Sequence, residues 1–344
     1  MIISILGGAI LRVKYFDILK SISIIGVLTI HVSANLVDNF KIGSYNWWVG
    51  NVYDSIARIC IPIFFMVSGA LLLNSKKSYS LKEFYSNKVF KLFISFLIWS
   101  IVYFIQRNSQ YPESFNVKNF VIQFATGGIF NRLWFFYTLL GLYIVAPFLN
   151  IFVNNATLKY VRTFLLVWFL STTFTDFLSH FFNIELKLEL SYVYGYIGYF
   201  VLGYYLSKIN FKLNKKIGVA FILSLFSLCV FGTYILSVIH GENNLYLYNN
   251  LSPNTIILAT ITFLVIRDCF KGQSTKVVSL ISSNSLGIYV IHTFVLNYLN
   301  RIGFVSTFVN PILAVPILVI VTFFISFTLS NIIKKIPIIN KAIY

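Results

Sequence analysis

The chain has 344 residues, of which 58% are hydrophobic and only 11% charged, with a mean hydropathy of +0.81. That balance excludes an ordinary soluble enzyme and describes a chain that crosses a membrane many times. The net charge of +17 does not point to nucleic acid, because the cations sit in short loops between apolar runs and form no long basic stripe interleaved with aromatics.

Residues 1–11, MIISILGGAIL, are apolar but lack a positively charged start and a cleavage site, so they do not read as a signal peptide. They are expected to be an N-terminal extension or cytosolic tail over 1–14, with a natural start near Val13. About ten apolar runs long enough to span follow: 17–36, 55–74, 89–106, 133–153, 160–178, 192–207, 216–239, 252–269, 279–299 and 308–332. The sixth is short, and 120–130, ending in Gly127-Gly128, reads as a re-entrant or interfacial segment, which leaves counts of nine or eleven open. The expected fold is therefore an all-α integral membrane protein, a polytopic bundle over 15–333 with a basic tail at 334–344.

Orientation follows from the cations. Lys41, Arg58, Arg107, Lys118, Arg132, Lys187 and Arg301 fall on or near one side and the other twenty of the 27 on the opposite side, among them Lys76, Lys77 and Lys341. By the positive-inside rule both termini are cytosolic, and all four histidines lie in the outer half or outer loops. The chain thus reads as a multi-pass protein of the cell membrane, with bilayer lipid as its first partner. The three cysteines, Cys60, Cys229 and Cys269, are far apart and suggest neither a disulfide framework nor a metal site. Trp47 and Trp48, in an outer loop rich in aromatics and Asn, either join an interfacial belt, the weightier reading, or stack on sugars.

The first run carries the sharpest pattern. Lys20 and His31 are separated by ten uncharged residues; eleven residues of helix rise about 16 Å in about three turns, so both side chains share a face. An imidazole deep in a span is expensive and defaults to a functional group, with a structural histidine as the plainer alternative, and its ordinary pKa near 6.5 suits a general base for a hydroxyl. Asn35, one turn above, is placed to orient the ring. Lys20 either snorkels to headgroups or is held on the His31 face by Asp17.

In the second run Asp54, Arg58 and Pro62 recur every four residues and are expected on one face, either as a neutralised pair at the outer edge or as a polar pocket wall beside a proline kink. Ser68-Gly69 suits close helix packing. Lys88 and Lys91, expected on one helix face at the mouth of the third run, either obey the positive-inside rule or grip the phosphates of a nucleotide-like donor. Arg132 and Trp134 open the fourth run, and Tyr289 with His292 share a face of the ninth, where His292 is a second intramembrane histidine. No nucleotide-binding glycine loop, zinc-protease, hydrolase-elbow or CxxC pattern is present.

Six stretches in this order resemble the acyltransferase-3 family of integral membrane acyltransferases: YFDILKSISIIGVLTIH, RICIPIFFMVSGALLL, FYSNKVFK, LWFFYTLLGLYIVAPFL, IGYFVLGYYLS and SSNSLGIYVIH. The resemblance runs from about residue 15 to 332, and the second and fourth motifs look closest to stand-alone members that O-acetylate bacterial polysaccharides. It implies an acyl-CoA donor, most simply acetyl-CoA, no metal and no nucleic acid. The implied acceptor is a hydroxyl of a cell-surface or lipid-linked glycan, and other polysaccharide-assembly proteins are implied partners. His31 matches the family's essential histidine, as general base for the acceptor hydroxyl or as a brief carrier of the acyl group, Lys20 its basic partner, Arg58 the arginine before Pro-x-Phe-Phe, and Lys88 with Lys91 the basic residues of the third run. Lys20 stands where arginine is commoner, and Arg132 where many members have histidine. A transporter or flippase of lipid-linked glycan is the alternative, and a non-catalytic subunit of a polysaccharide machine a third; neither consumes coenzyme A.

Overall fold

The computed structural model describes residues 5–6, 9–10, 12–74, 80–108, 116–185 and 195–335. Lys76, Lys77, Lys187 and Lys341, which enter the charge asymmetry, lie outside the described residues, as do most of 1–11 and of the basic tail. The fold is all-α and polytopic. Apart from a two-residue antiparallel pair, Ile5–Leu6 with Ala9–Ile10, the described residues are helices and their connections. Among the described residues, nine helical segments are long and apolar enough to cross a membrane. The chain divides into two compact units, one built from 1–74 and 156–330 and the other from 75–155 and 331–344.

The first unit is organised around α1, Lys14–Asn39. No side chain caps its start; the backbone does so instead, with Lys14 N–H donating to Gly272 O at 3.0 Å and Ser274 N–H to Arg12 O at 3.1 Å. The second span, Tyr45–Leu73, is interrupted. Helix α2 (Tyr45–Ala57), capped by Ser44 accepting from Trp47 N, ends before Arg58, and α3 (Cys60–Leu73) begins after Ile59. Pro62 explains the site of the break: its missing N–H is the one that would have bonded the Arg58 carbonyl. Across the interruption Arg58 and Ile59 keep right-handed helical dihedrals, and Asp54 pairs with Arg58 one turn later.

Small residues set the approach of α1 to this span. A Cβ on Gly26 would lie 2.7 Å from Cys60 Cβ, and one on Gly50 2.6 Å from Leu36 Cβ. Trp47, expected in an interfacial belt, is fully buried and donates from Nε1 to Asn243 Oδ1 at 2.9 Å, while Trp48 packs on Tyr234 with ring centroids 4.7 Å apart. Hydropathy alone does not separate an aromatic at the headgroups from one inside the bundle.

Helices α8 (Leu158–Phe182), α9 (Ile197–Lys208), α10 (Lys215–His240), α11 (Pro253–Cys269), α12 (Lys276–Arg301) and α13 (Pro311–Lys334) complete this unit, apart from the last residues of α13. The expected sixth run is represented by α9, whose 12 residues are too short to span alone; residues 186–194 before it are outside the described set. Two pairings nevertheless count it as a crossing. Phe65 rings against Tyr196 near the starts of α3 and α9, and Asn74 donates to Ser207 Oγ at 2.8 Å near their ends, so the two helices run parallel. Likewise α1 and α12 run parallel, since Asp17 meets Ser282 and, further along both helices, His31 meets His292. With only the nine long spans, α12 would be the eighth crossing and opposed to α1; adding α9 restores the parity.

Glycines make the α3–α9 contact backbone to backbone. A Cβ at Gly69 would sit 1.9 Å from the Phe200 carbonyl oxygen, and one at Gly203 1.8 Å from that of Met66.

In the second unit, Ser80 caps α4 (Leu81–Phe84), a π-helical turn covers Tyr85–Val89, and α5 (Phe90–Asn108) continues the third span. Helix α6 (Val117–Thr126) starts at an Asn116 cap and ends on Gly127 at φ +75°, and α7 (Trp134–Asn155) follows a 3-10 turn at Asn131–Leu133. With ten residues and none buried, α6 is too short to span; its Phe124 packs on Phe96 at 4.9 Å between ring centroids. This is the segment expected to be re-entrant or interfacial.

Gly69→Ala and Gly203→Ala should each destabilise the protein by about 2 kcal/mol or more, because the added methyl meets fixed backbone rather than a movable side chain. Thermal unfolding of detergent-purified variants tests this, with Gly141→Ala, which has open space around its Cβ, expected to unfold no earlier than the parent.

Candidate functional site

Helix α1 delivers four of the expected site residues, Asp17, Lys20, His31 and Asn35, to the first unit. Asp17 is buried in the first turn, and its Oδ1 accepts from Ser282 Oγ on α12 at 2.6 Å. The other carboxylate oxygen, Oδ2, is buried without a hydrogen-bond partner among the described residues. Lys20 lies one turn further along, half-buried. His31 lies eleven residues beyond Lys20, also half-buried, and its ring stacks on that of His292 with centroids 5.1 Å apart and planes inclined by 22°. The structure therefore joins two intramembrane histidines that are 261 positions apart in the chain.

His292 is almost fully buried on α12. Its Nδ1 is hydrogen-bonded to the Tyr289 carbonyl; a carbonyl only accepts, so Nδ1 carries the proton and Nε2 is the acceptor. The Thr293 hydroxyl lies 3.3 Å from that Nε2 and donates to it. The ring of Tyr289 itself, also buried, stands 5.7 Å from that of His292. Asn35 is exposed, and its amide donates to Ser306 Oγ at 3.5 Å while its oxygen accepts from Asn39.

A second polar group forms at the break in the second span. Arg58, at the C-terminal end of α2 where the helix dipole favours a cation, pairs through Nη2 with Asp54 Oδ1 at 2.6 Å. Its guanidinium lies over the ring of Tyr248 at 4.2 Å. Tyr248 is held in turn by its hydroxyl, which donates to Asn51 Oδ1 at 2.5 Å, and Asn51 Nδ2 donates to Val230 O at 2.9 Å. Asp54 and Asn51 are fully buried, so the carboxylate, the amide and the phenol constitute a fixed cradle for the arginine. Tyr248 and Asn51 escaped the sequence reading. The one signal available was the Tyr- and Asn-rich stretch LYLYNN between two apolar runs.

The remaining expected residues belong to the second unit. Lys88 is exposed within the π-helical turn and Lys91 is exposed in the first turn of α5. The bond from Phe90 N–H to Tyr85 O spans five residues, so the regular α-helical face expected for this lysine pair does not run through the segment. Arg132, in the 3-10 turn, holds its guanidinium 5.7 Å from the Phe130 ring, and Trp134 opens α7 with its ring edge-on to Phe135. Among the described residues, no group of three or more His, Cys, Asp or Glu is arranged to hold a metal ion, and the three cysteines are free thiols.

The geometry thus offers a helix with a cation near one end and a stacked imidazole pair eleven residues further on, inside a polytopic membrane bundle. That arrangement suits proton abstraction from a hydroxyl far from bulk water. No curated protein and no solved structure matches the chain. A family model described as an acyltransferase domain matches residues 13–331, nearly the whole chain, and includes both histidines, Lys20 and Arg58. The protein belongs to the acyltransferase-3 family and is a membrane acyltransferase.

Proposed function

We propose that this acyltransferase moves an acyl group, most simply acetyl, from acyl-CoA to a hydroxyl of a cell-surface or lipid-linked glycan, working in the cytoplasmic membrane of a bacterium with both termini in the cytosol. The observation that carries the reading is the stacking of half-buried His31 on buried His292, with His31 on the same helix as Lys20. Lys20 meets the donor's phosphates at the cytosolic end of α1, and the thioester reaches along the helix toward His31, about 16 Å away. Lys88 and Lys91, exposed in the second unit, have the charge for phosphate contacts of the same kind.

In the transfer, His31 accepts the proton of the acceptor hydroxyl as the oxygen attacks the thioester carbonyl. The C–S bond then breaks, and the coenzyme A thiolate leaves as the thiol with that proton. Membrane partners of polysaccharide assembly supply the acceptor and receive the ester.

Purified protein in lipid nanodiscs, given acetyl-CoA and polysaccharide from the source cells, should release free coenzyme A thiol and transfer label to the polysaccharide. His31→Ala should lower the rate at least about 100-fold, the contribution typical of a general base; parental activity in a well-folded His31→Ala protein would sink the assignment. Lys20→Ala should raise KM for acetyl-CoA about ten-fold, the loss of one charge-assisted phosphate contact, with Lys20→Arg close to the parent. An unchanged KM in Lys20→Ala removes the lysine from donor binding.

A further inference from the structure

The two intramembrane histidines look equivalent in the sequence, and the structure separates them. A neutral imidazole has one donor and one acceptor, and His292 uses both: Nδ1–H on the Tyr289 carbonyl and Nε2 on the Thr293 hydroxyl. For His292 to take a proton or an acyl group at Nε2 it must first surrender the Thr293 bond, inside a site where it is only 1% exposed to solvent. What His292 offers its neighbour is its ring face, and the ring on that face is His31, 5.1 Å away and tilted by only 22°.

Resting on the reading of His31 as the base, we infer that His292 is a positioning residue for His31 and not a second acid or base. Its hydrogen bonds to Tyr289 and Thr293 lock the plane of its ring. That fixed plane sets the plane of the His31 ring by stacking, and so the direction in which the His31 lone pair points. It also meets the change of charge in the reaction. When the acceptor O–H bond breaks and an N–H bond forms on His31, the resulting imidazolium lies against the π face of a ring that stays neutral. The proton then leaves His31 for the departing thiolate, and His292 ends each turnover in the tautomer in which it began.

The inference separates shape from titration, so a phenyl ring should replace His292 and a methyl group should not. His292→Phe should keep kcat within about three-fold of the parent, whereas His292→Ala should lower it about ten-fold with KM for acetyl-CoA unchanged, the size of effect a desolvated aromatic–cation contact supplies. A folded His292→Phe protein as inactive as His31→Ala would show that the His292 nitrogens do chemistry, and a His292→Ala protein with parental kcat would show that the stack does nothing; either result overturns the inference. Carbethoxylation of the parent by diethyl pyrocarbonate, mapped by mass spectrometry, decides the point without an assay of activity. His31 should be modified and His292 spared, and modification of His292 at the rate of His31 overturns the inference. If the parent releases no thiol from acetyl-CoA, the donor assignment fails, while the labelling contrast still tests whether the His292 nitrogens are engaged.

Discussion

A single buried hydrogen bond sets the register on which the rest of the candidate site depends: the Ser282 hydroxyl donating to the Asp17 carboxylate at 2.6 Å. In an apolar bundle, sliding α12 along α1 would strand both a carboxylate and a hydroxyl without partners, so this register resists displacement far more strongly than apolar packing alone. With Asp17 and Ser282 paired, two parallel helices bring His31 and His292 face to face further along. The stack follows from the register of two helices.

The interrupted second span follows a different logic. Burying Arg58 beside hydrocarbon is costly unless its charge is met, and Asp54 meets it from one turn earlier on the same helix. Tyr248 then covers one face of the guanidinium, and Asn51 fixes Tyr248. Tyr248 and Asn51 are hydrogen-bonded to each other and to the backbone, whereas Arg58 Nε and Asp54 Oδ1 are buried with no hydrogen-bond partner among the described residues, so the arginine is held by its ion pair and by the ring of Tyr248. Proline at position 62 removes the N–H that would bond the Arg58 carbonyl, so the regular hydrogen bonding of α2 stops at this cradle, and the backbone contacts of α3 with α9 hold the second half of the span in place.

Much of this was legible in the sequence where the signal is local. Nine of the expected spans coincide with helices of sufficient length, because about 20 apolar residues in a row have few other fates. The spacing of Lys20 and His31 was legible for the same reason, since both lie on one unbroken helix. What stayed hidden depends on contacts between distant segments. Nothing in the residues around His292 says that it meets His31 or that its nitrogens are bonded. Trp47 has the composition of an interfacial anchor and becomes core only because Asn243, nearly 200 residues away, accepts its N–H. The π-helical turn under Lys88 has no sequence signature of the kind a proline or glycine provides. The family assignment was legible because it depends on the order of six weak motifs along the whole chain, which one contiguous reading captures.

The backbone bonds that cap α1 have a mechanical meaning as well. Gly272 and Ser274, which accept from and donate to the strand entering α1, are also the residues just before α12, and Arg12 reaches the Ser279 carbonyl at 2.8 Å to reinforce the joint. The two helices that carry the imidazoles are thus stitched together at their shared root, like the tines of a fork. The spacing of the two rings is thus referred to one common base, built from backbone at 12–14 and 272–274 and from the Asp17–Ser282 bond just above it.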